Sequence, residues 1–300
     1  MLMGIGSVSA ALPEVWLVLS APGGIHAATA TRLQEIWAAE DRPTLDWRIG
    51  TWAELPVAGV LPQLVVTLGA AAYLEGVELS LTSQALQRIP VLAALLPQAG
   101  FPSSRARGSW RSAAVFLDQP AERIVQLLRL ALPEHARIGV LFGPDSIAVK
   151  PALARALSGR GLTLVSQTVP DTGVGPYPAL RTLLDEVDLL LALPDKLVFS
   201  SSNMYNILLA AYRQRVPVVS YSAAHVRAGA LMSLHTEPSD VARQLADALR
   251  QWHAGGGLPP PAAAASGSVS VNGQVARSLG LSLPHPLDLE RALRPKGGLS

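Results

Sequence analysis

No cysteine occurs anywhere in the 300 residues. That single absence excludes disulfides, thiolate metal sites, cysteine nucleophiles and a lipid-modified cysteine in the chain as given, and it fits either an oxidising or a reducing compartment. Basic residues are also never concentrated. The formal net charge is +2 and the isoelectric point is near 9.1, yet no Lys/Arg run or basic-aromatic stripe appears, so nucleic-acid binding is not expected. No apolar run is long enough to span a bilayer. Several enzymatic signatures are missing too. No G-x-G-x-x-G follows the first strand, residues 143–149 are not a P-loop, and no G-x-S-x-G elbow occurs. Gly4-Ile5-Gly6 precedes any strand. The six histidines (His26, His135, His225, His235, His253 and His285) are dispersed with no i,i+4 pair, which points to neither a metal nor a catalytic role; His235, near a strand end, is the one to watch. No helix-turn-helix precedes the first strand, which argues against a fused repressor.

What is present is apolar and periodic. Hydrophobic residues make up 49% of the chain and charged residues 15%, the balance of a folded protein with one large core or two. From Arg137 to Ser222, apolar runs (138–142, 162–165, 189–193, 216–219) alternate with amphipathic segments of helical length. Continuous apolar strands separated by helices predict a parallel sheet covered on both faces. Such sheets bind ligands at the carboxyl ends of their strands. There the sequence places Gly143-Pro144-Asp145-Ser146, Pro194-Asp195 and Ser220-Tyr221-Ser222.

The first half reads similarly. Strands are expected at 15–20, 44–49, 64–68 and 91–95, with a helix over 27–40 and a less distinct one within 70–88. Residues 98–111 form a Gly/Ser/Pro/Arg-rich loop, followed by an extended segment at 113–117, together read as a first crossing between two lobes. Pro120 opens a helix, as proline suits a first turn. A strand at 230–234 and a helix at 238–252 come next. Residues 255–265 (GGGLPPPAAAA) read as a surface linker, 268–271 as a short strand, 274–279 as a short helix, and the tail from Pro284 as peripheral. At the amino terminus, Val8-Ser9-Ala10 resembles the end of a secretory signal that lacks its positive region. An ordinary frayed terminus explains the same residues.

Five segments, ARIGVLFGPDS, GRGLTLVSQTV, LLLALPDKLVFSS, RVPVVSYSAAHVRAGALMSL and VSVNGQVARSLGLSLP, resemble in order and spacing the bacterial ABC-transporter substrate-binding proteins of the group that includes tryptophan- and tyrosine-binding proteins. The resemblance covers residues 115–284 well and the first hundred weakly. It implies an α/β type I periplasmic-binding-protein fold, with two Rossmann-like lobes joined by a hinge and closing over a small molecule. It implies lobe 1 at 12–115 with 228–254 returning to it, and lobe 2 at 116–227 with 266–283 returning to it. It further implies a monomeric, cofactor-free, non-enzymatic receptor working with an ABC permease in the periplasm, its signal peptide truncated or removed; a cytoplasmic location stays open.

Carried over residue by residue, Asp195 stands where the family has an acid after a strand and would pair with a ligand ammonium; a helix cap or turn is the alternative. Asp145 and Ser146, with the amides opening the next helix, would hold a carboxylate, or simply cap that helix. Tyr221 and Ser222 would cover an apolar ligand face, or pack in the core. In the first lobe, Ser20, Gly69 and Ala70 end strands at the cleft. Here the chain departs from the family, which has a Gly-Thr pair where this one has Gly69-Ala70, and the amino-acid specificity is correspondingly open. Two other readings remain: a standalone periplasmic sensor or degenerate binding protein acting through a protein partner, and an α/β enzyme.

Overall fold

The structure is a computed structural model, and it describes residues 12–40, 44–55, 61–101 and 110–294. The expectations for the amino-terminal signal, for Gly4-Ile5-Gly6 and for most of the 98–111 loop lie outside those residues.

In chain order the elements begin with β1 (Glu14–Leu19), α1 (Gly24–Ala39), β2 (Asp46–Gly50), β3 (Leu64–Leu68), α2 (Ala70–Thr82), α3 (Gln84–Gln87), β4 (Val91–Leu96) and β5 (Ser112–Phe116). They continue through α4 (Ala121–Ala131), β6 (Arg137–Phe142), α5 (Lys150–Ser158), β7 (Thr163–Thr168), α6 (Tyr177–Leu184), β8 (Leu189–Leu191), α7 (Ser201–Arg213), β9 (Val218–Ser220) and α8 (Ala223–Ala228). The last are β10 (Met232–His235), α9 (Pro238–Gln251), β11 (Ser268–Val271), α10 (Gly273–Leu279) and α11 (Pro286–Leu293). Two sheets result, ordered β2-β1-β3-β4-β5 and β11-β10-β9-β8-β6-β7. The first five strands of each half therefore adopt the same 2-1-3-4-5 order, a doubly wound arrangement whose ligands lie where the strand order reverses.

The chain divides into two compact units. One comprises residues up to Leu96, Phe101–Val115 and Val241–Pro261; the other comprises Pro97–Gly100, Phe116–Asp240 and Ala262 onward. In the first unit, β1 pairs in parallel with β2 and β3, and β3 with β4. β1, β3 and β4 are buried along nearly their whole length, as expected of strands covered on both faces. α2 comes close to Trp52 and Trp110 because Gly76 faces them; a Cβ there would lie 2.7 Å from either ring. Both indoles are then satisfied by backbone carbonyls, Trp52 Nε1 donating to Ala72 O (2.7 Å) and Trp110 Nε1 to Leu86 O (2.9 Å). Buried indole N–H groups need such partners.

The second unit sandwiches its sheet between two apolar layers. One gathers Leu127, Leu128, Ile138, Phe142, Leu153 and Leu157. The other gathers Leu141, Leu183, Leu190, Ile207 and Val218. α4 shows why the sequence signal was strong, with Val125, Leu128 and Ala131 buried on one face. Pro120 precedes its first turn as the cap residue.

Two expectations are corrected. Residues 228–254 do not return as a block to the first unit: β10 pairs in parallel with β9 and antiparallel with β11 in the second sheet, and the chain leaves only at Val241. A short, mostly buried strand fits either sheet, so its composition could not decide. The 255–265 stretch is mostly exposed but pinned at its end, where Phe116 N–H donates to Ala262 O (2.9 Å) and Ala264 is buried. The tail is not peripheral either, because α11 buries Leu289 and Leu293 in the second unit's core and Glu290 Oε1 accepts from Val269 N–H (2.7 Å).

Candidate functional site

In the second unit, the order reversal falls between β6 and β8, and the chain after each strand carries predicted residues. Asp195, following β8, is buried, and its carboxylate accepts five hydrogen bonds. Oδ2 receives Asp145 N–H (3.1 Å), Ser146 N–H (3.0 Å) and Ser146 Oγ–H (2.8 Å). Oδ1 receives Leu197 N–H (3.0 Å) and Val198 N–H (3.1 Å). Ser146 Oγ in turn accepts from Gly143 N–H (3.0 Å). Gly143 makes room for this: a Cβ there would come within 2.6 Å of both carboxylate oxygens.

Asp195 and Ser146 are thus brought together, but as a clamp between two loops. The carboxylate's acceptor capacity is filled from within the protein, so the turn reading applies to Asp195 and it does not present a free charge. Ser146 makes no side-chain cap to the helical turn after it. Asp145 differs. Its Oδ2 accepts Lys196 N–H (3.1 Å), Oδ1 has no hydrogen-bond partner among the described residues, and the side chain is half-buried.

Tyr221 and Ser222 follow β9. Ser222 caps α8 by accepting from Ala224 N–H (3.2 Å). Tyr221 is partly buried and meets His225 edge-on, with ring centroids 4.9 Å apart. Burial first, and then the negative charge of Asp195, push its hydroxyl up to about 12, so it is a neutral donor at any ordinary pH. His225 Nδ1 lies 2.6 Å from Ser220 Oγ. The sequence places Gly143 at the strand end, but not its role in making room for the Asp195 carboxylate; His225 figures there only as one of the dispersed histidines, and the Lys196–Val198 amides are not singled out.

In the first unit the reversal lies between β1 and β3. Ser20 Oγ accepts from Ala72 N–H (2.9 Å) at the start of α2, while Ser20 N–H pairs with Leu68 O. Gly69, the residue before α2, has φ +103, and a Cβ would collide with Ser20 Oγ and His26 Nε2. Gly69, at the cap position, has no side chain to offer α2, and the N–H groups of Ala70 and Ala71 lie outside the helix's own bonding. Ser20, Gly69 and Ala70 therefore form a second cluster, with His26 beside it.

Two other features carry nothing here. Ser233 Oγ, His235 and Glu237 form a chain (3.1 and 2.8 Å) that resembles a hydrolytic triad. Ser233 is completely buried, however, and its oxygen cannot meet a substrate. A cavity of about 490 Å³ is lined by Arg111, Trp252 and Pro259–Pro261. It lies by the amino ends of β4 and β5 and contains none of the predicted residues.

Two doubly wound α/β units, with polar clusters at the carboxyl ends of their strands, define a type I periplasmic-binding-protein fold. Comparison with known proteins gives the family. The sequence profile of the ABC transporter substrate-binding proteins matches residues 113–289, and the chain belongs to that family. Members bind small molecules, work with an ABC permease, and are normally periplasmic or extracellular. No curated protein matches.

Among solved structures, a ligand-free, open substrate-binding protein with adhesive properties from Clostridium difficile is 16% identical, with TM-score 0.67, over 91% of this chain and 96% of that one. A Streptococcus pneumonia domain in complex with L-Trp is 17% identical, TM-score 0.60, over 93% and 98%. A periplasmic ribose ABC transporter protein from Conexibacter woesei is 14% identical, TM-score 0.58, over 95% and 99%. At these identities the likeness concerns the fold. Among the described residues no helix is long and apolar enough to cross a membrane.

Proposed function

We propose that this chain is the receptor of an ABC uptake system for a small zwitterionic solute of the amino-acid class, captured by closure of the two units and delivered by a monomeric protein outside the cytoplasmic membrane. The observation that carries the reading is Asp145. Its half-buried carboxylate keeps one oxygen without a partner among the described residues, beside the saturated Asp195 clamp, and it suits an ammonium group. Charge-assisted pairing of this kind strengthens as water is excluded. Ser20 and the uncapped amides of Ala70 and Ala71 suit a carboxylate. Tyr221 and the exposed Ile147 offer apolar cover for a side chain.

The missing hydroxyl at Ala70 favours one further reading, a degenerate receptor acting through a protein partner. A thermal-shift screen against amino acids, sugars and nucleosides, run on protein unfolded and refolded to strip carried-over solute, separates the two. Solute at about a hundred times its dissociation constant adds roughly 2.7 kcal/mol. Stabilisation by an amino acid, lost at least tenfold in affinity in Asp145→Asn, is the expected result. A response to sugars alone would remove the zwitterion, and a flat screen would favour the partner-bound reading.

A further inference from the structure

The chain passes between the two units after Val115, after Asp240 and after Pro261, with a short excursion at Pro97–Gly100. On the second unit's side, every one of these passages is tied to a single segment, Phe116–Gln119. Phe116 N–H donates to Ala262 O (2.9 Å), and Asp118 O accepts Ala264 N–H (3.1 Å). Asp118 Oδ2 accepts Gln98 N–H (2.6 Å). Thr236 Oγ1 donates to Leu117 O (2.9 Å) and accepts from Gln119 Nε2 (2.8 Å). Gln119 Nε2 also reaches Ser266 O (2.9 Å).

Arg123, one helical turn on, closes the arrangement. It donates to Gln119 Oε1 (2.7 Å), Ala264 O (2.8 Å) and Ala265 O (2.7 Å). A planar guanidinium can hold three acceptors at fixed angles where an ammonium would not. Gly267 leaves the space: a Cβ there would sit 2.7 Å from Gln119 Oε1.

We propose that Gln119 and Arg123 are positioning residues that lock these passages into one rigid strap, confining bending to the first unit's side of each junction and fixing the resting separation of the units. The inference rests on the closure reading above. Locked together, three strands bend about one shared axis; released, each bends alone and the open state becomes a broad ensemble. A narrow ensemble loses less freedom on capture, and so less affinity.

Because the chain lacks cysteine, Glu75→Cys with Arg213→Cys places one spin label on an exposed helix position in each unit. The distance distribution is then measured by pulsed dipolar spectroscopy with no solute present. We expect a narrow distribution in the parent that at least doubles in width in Arg123→Ala and in Gly267→Ala. Amide exchange at Gln98, Phe116 and Ala264 should be at least tenfold faster in both. Gly267→Ala keeps every bonding group and only displaces Gln119, so it decides the matter should Arg123→Ala not fold. The control Leu153→Ala, a core truncation in the second unit, should lower Tm without widening the distribution. Unchanged widths in the first two variants, or equal widening in the control, would overturn the lock. Failure of the solute reading would appear in the solute screen and leave this result untouched.

Discussion

The two units share a strand order but join their strand ends in opposite ways. In the second unit the bridging acceptor sits after the later strand: Asp195 reaches back to the loop after β6 and collects five donors. In the first unit the acceptor sits after the earlier strand: Ser20 reaches forward to one amide of α2. One junction is charged, buried and saturated; the other is a single neutral hydrogen bond beside two first-turn amides that the helix's own bonding does not reach. The contrast shows what a strand-end acid can do. A carboxylate already filled by its own loops holds those loops together and has no acceptor left for another partner.

Breaking the stronger junction should have the largest effect. Asp195→Ala strands buried donors of both loops, and unsatisfied buried groups of this kind cost on the order of 3–5 kcal/mol in total. Urea unfolding measures it. Ser20→Ala should cost only about 1 kcal/mol. Equal losses for the two variants would show that the junctions do not differ in strength.

How much of this was readable in advance depends on where the partners lie in sequence. The positions of Asp195, Asp145, Ser20 and Gly69 at strand ends follow from apolar runs that stop at polar or small residues, and each stands there in the structure. The role of Asp195 does not follow, because the amides of Asp145 and Ser146 that fill it lie some fifty residues away. Only the fold, and the missing side chain of Gly143, bring them within reach. The hinge segments show the same limit, since Gln119 finds Ser266 across 147 positions. α11 is a different case. Leu289 and Leu293 at i,i+4 behind a proline in the first turn are a legible helix signal, but nothing local says that the helix packs on the second unit's core.

The weaker junction can be tested through its backbone. Gly69 holds φ +103, a conformation that strains an L side chain, and a Cβ there also meets Ser20 and His26. Gly69→Ala should therefore cost about 2–3 kcal/mol. The loss should localise to the first unit, with amides of β3 and α2 exchanging faster and those of β6 and β8 unchanged. Uniform acceleration across both sheets would mean that the two junctions do not act as separate structures.

The smallest effect should come from acid, and it should fall on the second unit. Burial holds the His225 imidazole below its ordinary value of 6.5. Burial does the same to His135, against the opposing pull of the Asp188 and Glu134 carboxylates. A histidine whose pKa is lowered on folding contributes stability that is complete above its unfolded value and is lost as pH falls through its folded one. Stability should therefore decline as pH drops from 8 toward 5.5. The buried Asp118, whose pKa is raised by burial with the Gln98 amide opposing, acts with the opposite sign, so the test compares variants at matched pH. His225 faces the Ser220 hydroxyl and the Tyr221 ring, and the Asp195 charge bears on that tyrosine. An asparagine can keep the bond to Ser220 without taking up a proton. In His225→Asn the decline should be shallower, and the difference should appear in the exchange of β9 amides and not in those of β3. Parallel slopes for parent and variant would place the acid response elsewhere, and an effect on β3 would tie the two strand-end clusters more closely than their separate hydrogen bonding implies.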